Sequence, residues 1–262
     1  MSAVSVSETN INSLVIAKQL DSPSQLLREL VAGVLFDVSQ DGCLGFGVSS
    51  GCLISNKLSG PILLNLWYQL TLIQRRRVVS SLARLLLKVQ FTYIQQQQQI
   101  VSELGGVISW RKFTELNQRA LGRPDLVTLL DQSLAGIQTT LSRLRHVPLD
   151  SLTLVHGDLN LANIILQGQV LRLIDFEHAV EGPLELEFAP MLFWADSVSL
   201  PPKMLFQALS KLGCKCSRPL IRDCLILYFV NQLRLALDSH DQAKTKLLIT
   251  KQQTCLNQTL LL

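Results

Sequence analysis

Charge is scarce in this sequence: only 17% of its 262 residues are Asp, Glu, Lys or Arg, against about 25% in a typical soluble domain. Apolar residues make up 48%, so the low charge does not mark disorder, and a chain of this length can bury a sizeable core without staples. Long apolar runs are missing as well. The stretch of note, Cys224 to Val230, falls far short of the ~20 residues needed to span a bilayer. Met1 to Leu20 lacks the basic start and apolar centre of a secretory signal. Cysteine is too sparse for a disulfide framework. The six thiols are scattered, which predicts reduced residues in a cytoplasmic protein. Cys214-Lys-Cys216 has neither the spacing nor the second pair of a zinc site. The net charge is +4, and Arg75 to Arg77 is the one dense basic run, so a nucleic-acid stripe is not expected. Glycine is thin at the start, with Gly33 alone before Gly42.

Pattern along the chain predicts two textures. Ala3 to Glu8 and Ser13 to Leu20 read as strands around a turn, and Ser22-Pro23-Ser24-Gln25 as a helix start. Gly42 to Ser55 reads as two further short strands, ended by Lys57-Leu58-Ser59-Gly60-Pro61. From Leu63 helical spacing takes over: Leu66 to Gln74, Arg75 to Gln90, a segment after Ser102, and Pro124 to Leu144. The glutamine run 95–99 is expected to be an exposed helical turn. Leu152 to Val155, Ile164 to Leu166 and Val170 to Ile174 are β-prone, the last two forming a hairpin around Gln167-Gly168-Gln169. Helices resume over Pro202 to Leu212 and Pro219 to Leu237, the second capped by Ser217.

The chemistry sits beside the β-prone runs. Val155-His156-Gly157-Asp158 is followed by Asn163, five positions after the Asp, and then by Ile174-Asp175-Phe176-Glu177. Phosphoryl transfer from a nucleotide needs a carboxylate that receives the attacking hydroxyl's proton and oxygen ligands that hold Mg²⁺. Asp158 suits the first task; its other reading is a loop-capping Asp. Asn163 and Asp175 suit the second, although an Asn can also cap a turn. The H-x-D-x-x-x-x-N and D-F spacing matches protein-kinase catalytic loops, with Gly157 in place of their arginine.

His156-Gly157-Asp158, Asn163 and Ile174-Asp175-Phe176-Glu177 resemble the signature of the aminoglycoside phosphotransferase and choline kinase superfamily. Ile-Asp-Phe-Glu-His-Ala is most similar to the choline, ethanolamine and thiamine kinase branch, and Glu187 resembles the family's acidic residue before an apolar residue and Ala. The resemblance implies an α+β, bilobal protein-kinase-like fold. Its lobes would be a small, N-terminally shortened β-rich part over 1–56 that binds nucleotide and a larger, mainly helical part over 57–262 with the catalytic and substrate residues. It implies ATP and Mg as cofactors, Lys18 on the phosphates with Glu29 as its ion-pair partner, and Cys52 to Gly60 beside adenine. The phosphate-covering loop is expected to be abbreviated, since only Met1-Ser2-Ala3 precede the first predicted strand.

The implied activity is ATP- and Mg-dependent phosphorylation of a hydroxyl on a small cationic metabolite, thiamine- or choline-like. The implied alternatives are an aminoglycoside or macrolide antibiotic phosphotransferase and a pseudokinase-like binding protein. No nucleic acid or membrane partner is expected. A cationic substrate would favour acidic or aromatic walls; Glu181, Glu185, Asp196, Trp194 and Phe193 are available, and each also fits an ordinary surface or core role. His156 is expected to be structural, bonding backbone near Asp175, and Glu177 to support the metal or the substrate cation.

Overall fold

A computed structural model describes residues 15–19, 30, 32–33, 46–49, 52–56, 60–103, 107–194 and 200–258. The chain divides into two compact units. Residues 1–108 and 161–179 form one, and residues 109–160 and 180–262 the other. The chain therefore changes unit between Asn160 and Leu161 and again between Ala179 and Val180.

The first unit carries a three-stranded antiparallel sheet of β1 (Val15–Gln19), β2 (Phe46–Ser49) and β3 (Cys52–Asn56), in the order β1-β3-β2. The strand pair expected between Gly42 and Ser55 is present, and so is the strand before Leu20. The partner expected over 3–8 lies outside the described residues. Leu30, Ala32 and Gly33 are helical, in keeping with the helix expected after Ser22.

Helix α1 (Leu63–Trp67) and the long α2 (Leu72–Glu103) follow. The predicted break between Gln74 and Arg75 is not there. The chain instead breaks just before Leu72, where Thr71 and Gln74 cap each other: the Gln74 amide donates to Thr71 Oγ1 at 3.3 Å, and Thr71 N–H donates to Gln74 Oε1 at 2.8 Å. That reciprocal pair satisfies two of the donors a helix start leaves open, so α2 runs without interruption through the glutamine run. Its buried face presents Val79, Leu82, Ala83, Leu86, Val89 and Tyr93.

The unit is completed by a 3₁₀ turn at Leu161–Asn163 and the hairpin β5 (Ile164–Gln167) and β6 (Val170–Leu173), paired Ile164 to Leu173. Gly60 lets a further stretch of chain reach this hairpin. Its φ is +149°, and a Cβ there would stand 2.5 Å from Leu166 O, so only glycine fits. Two residues on, Ile62 bridges Ile165, and Leu166 N–H donates to Pro61 O at 3.0 Å.

The second unit is built around α8 (Arg218–Asp238), in which Cys224 to Val230 are all buried. This is the sequence's apolar run, and a helix apolar on every side belongs inside a core. Around it pack α3 (Trp110–Ala120), α5 (Leu134–Leu144), α6 (Phe188–Phe193) and α9 (Gln242–Gln258). The single helix expected over Pro124 to Leu144 is two. It stops at α4 (Pro124–Leu130) and resumes at α5 after a 3₁₀ turn whose first residue, Asp131, has φ +30°.

β4 (Leu152–Val155) is where the sequence puts it, and it pairs antiparallel with β7 (Val180–Pro183), Val155 opposite Val180. β7 is fully buried although it contains Gly182 and Pro183. Beside it, Trp110 is fixed at both nitrogens: its backbone N–H donates to Glu181 Oε2 at 2.8 Å and its indole N–H to Leu144 O at 2.9 Å. α7 (Pro202–Lys211) precedes α8. Among the described residues no helix is long and apolar enough to cross a membrane.

Candidate active site

β4 delivers the His-Gly-Asp segment, and a buried carboxylate holds it. His156 N–H donates to Glu187 Oε1 at 2.7 Å, and the Gly157 N–H also bonds to this carboxylate. Gly157 has φ +79°, a left-handed turn that costs an L side chain roughly 1–2 kcal/mol. This is a physical reason for glycine between His156 and Asp158: both amides must face one acceptor while the chain reverses. Next, Asp158 N–H donates to His156 Nδ1 at 3.3 Å. An accepting nitrogen carries no proton, so the ring proton of His156 sits on Nε2. Asn160 closes the turn from the other side, its Nδ2 donating to both Asp158 O and Asp158 Oδ2 at 3.1 Å.

Glu187 is 1% exposed, and burial pushes its carboxyl up from 4.5 to about 8, with the nearby Asp158 charge adding to the effect and the His156 and Gly157 amides opposing it. Its second oxygen, Oε2, has no hydrogen-bond partner. Near Asp158 lies Tyr228, whose hydroxyl accepts the Trp194 indole N–H at 3.1 Å. Burial and, to a smaller degree, Asp158 raise the Tyr228 phenol, so it keeps its proton.

The other half of the motif lies in the first unit. Asn163 ends its 3₁₀ turn and is 7% exposed; Asp175 follows β6 after Ile174. The hairpin brings them together: Ile164 is paired with Leu173, and Ile174 N–H donates to Asn163 O at 3.1 Å. Asp175 has φ +66°, a backbone state that Asp tolerates better than most residues but that still costs energy. An amide oxygen and a carboxylate are hard donors, and Mg²⁺ is commonly held by one or two such side chains with waters and phosphates completing its shell. Side chains of these two types suit that ion. Among the described residues no three His, Cys, Asp or Glu side chains gather as a metal site.

Lys18 lies on β1 opposite Leu53 of β3, on the strand expected for it; Glu29 and Asp196 are outside the described residues. Of the other acidic and aromatic candidates, Glu181 holds the Trp110 amide, Glu185 accepts the Ser217 N–H at 2.9 Å, and Phe193 is fully buried. Trp194 has the Lys251 ammonium 5.2 Å from its ring centroid, so that ring already carries a cation. Glu177 Oε1 lies 3.4 Å from His178 Nε2. The sequence reading missed the work of Asn160 and Tyr228. It marked Glu187 by resemblance alone, without the grip on His156 and Gly157. The signal for Asn160 was local, an Asn two residues beyond Asp158; those for Glu187 and Tyr228 are contacts made across long stretches of chain.

A hairpin that joins Asn163 to the residue before Asp175, and a His-Gly-Asp turn clamped by a buried carboxylate, define a protein-kinase-like phosphotransferase. The chain belongs to the phosphotransferase enzyme family, whose profile matches residues 52–212, more than half its length, and it is a small-molecule kinase of that kind. No curated protein sequence matches it. Among solved structures, the GDP complex of aminoglycoside 2'-phosphotransferase-IIIa is similar over 95% of this chain and 86% of its own, at 17% identity and a TM-score of 0.66. The gentamicin complex of APH(2")-IIa gives 92% and 85% coverage, 13% identity and 0.61. A thermostable mutant of aminoglycoside phosphotransferase APH(4)-Ia in ternary complex with AMP-PNP and hygromycin B gives 94% and 91%, 14% and 0.60. At these identities the likeness establishes the bilobal α+β fold.

Proposed function

We propose that this protein transfers the terminal phosphoryl group of ATP, with Mg²⁺, to a hydroxyl of a small cationic metabolite of the thiamine or choline type. The observation that carries the reading is the 3.1 Å backbone bond from Ile174 N–H to Asn163 O, because it sets two residues with hard oxygen side chains, Asn163 and Asp175, beside one another in the fold. Asp158 takes the hydroxyl proton as the acceptor oxygen attacks. Asn160 donates to its Oδ2, which helps hold the carboxylate's orientation for that transfer. Lys18 reaches the phosphates, with Glu29 as its partner, and residues 1–56 serve the nucleotide while 57–262 serve catalysis and the acceptor. Asn163 and Asp175 hold Mg²⁺, which when bound neutralises charge on the transferred group. The rate comes mainly from positioning and charge, since the phosphoryl group needs little covalent help.

A second reading keeps the chemistry and changes the acceptor to an aminoglycoside. It is favoured by the gentamicin and hygromycin B that two of the similar structures contain. A coupled ADP- or GDP-release screen over thiamine, choline, other hydroxylated metabolites and aminoglycosides separates the two. Turnover on a metabolite with none on the drugs supports the first, and drug turnover with resistance in a sensitive host supports the second. Absence of nucleotide turnover on every acceptor, with no thermal stabilisation by ATP and Mg²⁺, overturns both in favour of a binding protein.

A further inference from the structure

The loop between α7 and α8 holds two thiols that the proposed chemistry does not use. Cys214 and Cys216 are part-exposed, and their sulfurs are 3.7 Å apart, one thiol hydrogen-bonded to the other. The backbone on both sides is fixed. Cys214 N–H donates to Leu209 O at 3.0 Å, closing the end of α7 just after Gly213 at φ +86°. Ser217, next to Cys216, caps α8 by accepting the Leu220 N–H, and its own N–H is held by Glu185 Oε1 at 2.9 Å. Residues two apart in sequence cannot have Cα atoms more than about 7 Å apart, near the upper edge of the roughly 4.4–6.8 Å window a disulfide accepts. Closure takes the sulfurs from 3.7 Å to a bond of about 2.05 Å. Cys224, by contrast, is 0% exposed inside α8.

We infer that Cys214 and Cys216 form a reversible dithiol site, which a low-molecular-weight disulfide such as glutathione disulfide closes into a disulfide within this loop. The Cys216 thiol's hydrogen bond favours the thiolate of Cys214 and burdens its own ionisation, so Cys214 is the first nucleophile. Its thiolate attacks one sulfur of the oxidant, breaking that S–S bond and releasing one glutathione thiolate, which takes the Cys214 proton. Cys216 then gives up its proton and attacks Cys214 Sγ in the mixed disulfide, expelling the second glutathione thiolate, which takes that proton. Each cysteine loses one electron, and the oxidant gains two.

The sequence supplies a direct readout. Trypsin cuts after Lys211, Lys215 and Arg222, so the two thiols fall on separate peptides, 212–215 and 216–222, which stay joined only through a disulfide. The full chain is equilibrated in glutathione buffers, folded or in urea, quenched with acid and mapped by mass spectrometry. The folded chain is expected to yield the linked pair, released by reductant, with a closing constant about tenfold or more above that of the unfolded chain, or about 30 mV for this two-electron couple. In the single variants C216S and C214S, the remaining thiol is expected to stop at the mixed disulfide with glutathione and to give no linked pair. No linked pair in the folded chain, or equal constants folded and unfolded, overturns the inference. A Cys224 modified as fast as Cys214 does so too, since reaction would then report opening of the unit.

Discussion

The two halves of the catalytic motif are built by different means. In the first unit, Asn163 and Asp175 are placed by short-range structure, a hairpin of two four-residue strands and one backbone bond, with strain at Asp175 left in the chain. In the second, Asp158 is placed by a residue 29 positions away, through amides that Glu187 grips from inside the core. The proposed metal pair is thus encoded locally and the proposed proton acceptor by tertiary packing. A substitution near the hairpin should act on metal use alone, whereas a substitution far from Asp158 in sequence can still disable it.

The largest expected effect tests the second half directly. Asp158→Ala should lower turnover by about 10²–10⁴-fold, the usual worth of a general base, while the melting temperature stays near wild type; a coupled nucleotide-release assay and a thermal melt measure the two. In the first half, Asp175→Asn keeps a residue that tolerates φ > 0 but removes the charge. Turnover should fall on the order of a hundredfold at fixed Mg²⁺, and a Mg²⁺ titration should show a rise in the concentration needed. If Asp158→Ala moved the Mg²⁺ dependence just as strongly, the division of labour would be wrong.

Glu187 sharpens the comparison further. Glu187→Ala leaves buried amides of His156 and Gly157 without their acceptor, at about 1–3 kcal/mol each, so both stability and turnover should drop. Glu187→Gln keeps an acceptor oxygen and should retain the fold. The carboxyl titrates at about 8 folded against 4.5 ordinarily, so the folded chain binds the extra proton in between. Its contribution to stability is therefore full below about 4.5 and is lost as pH rises to about 8. Urea melts at pH 5 and 8 should show that loss in the wild type and a flatter profile in Glu187→Gln. Gly157→Ala should cost roughly 1–2 kcal/mol by the left-handed turn, with turnover falling as the Asp158 loop shifts. The smallest effect belongs to the surface of the same unit. Arg143→Ala, which breaks the 2.8 Å pair with Asp223 at a 58% exposed side chain, should change stability by less than about 1 kcal/mol and activity not at all.

What could be read beforehand divides along the same line. His156, Asp158, Asn163 and Asp175 stand out in the sequence because the proposed chemistry fixes their spacing, and β4, β5 and β6 were legible because their apolar runs are short and bounded by turns. The end of α1 was misplaced because helical spacing alone cannot locate a stop, although Thr71 and Gln74 form a capping pair that marks it. β7 was missed because Gly182 and Pro183 argue against a strand; it exists because β4 offers a partner and both faces are buried. The break at Asp131 carries no Gly or Pro to announce it. Glu187's role depends on burial and on amides 30 and 31 positions back, which no local pattern encodes.

The burial of Cys224 to Val230 on every side of α8 bears on how this unit opens. Backbone amides there have no local route to solvent, so their hydrogen exchange should require the whole unit to unfold and should report its global free energy. Those seven amides provide a built-in gauge, against which every protection factor nearer the protein's surface can be read as a fraction of complete unfolding.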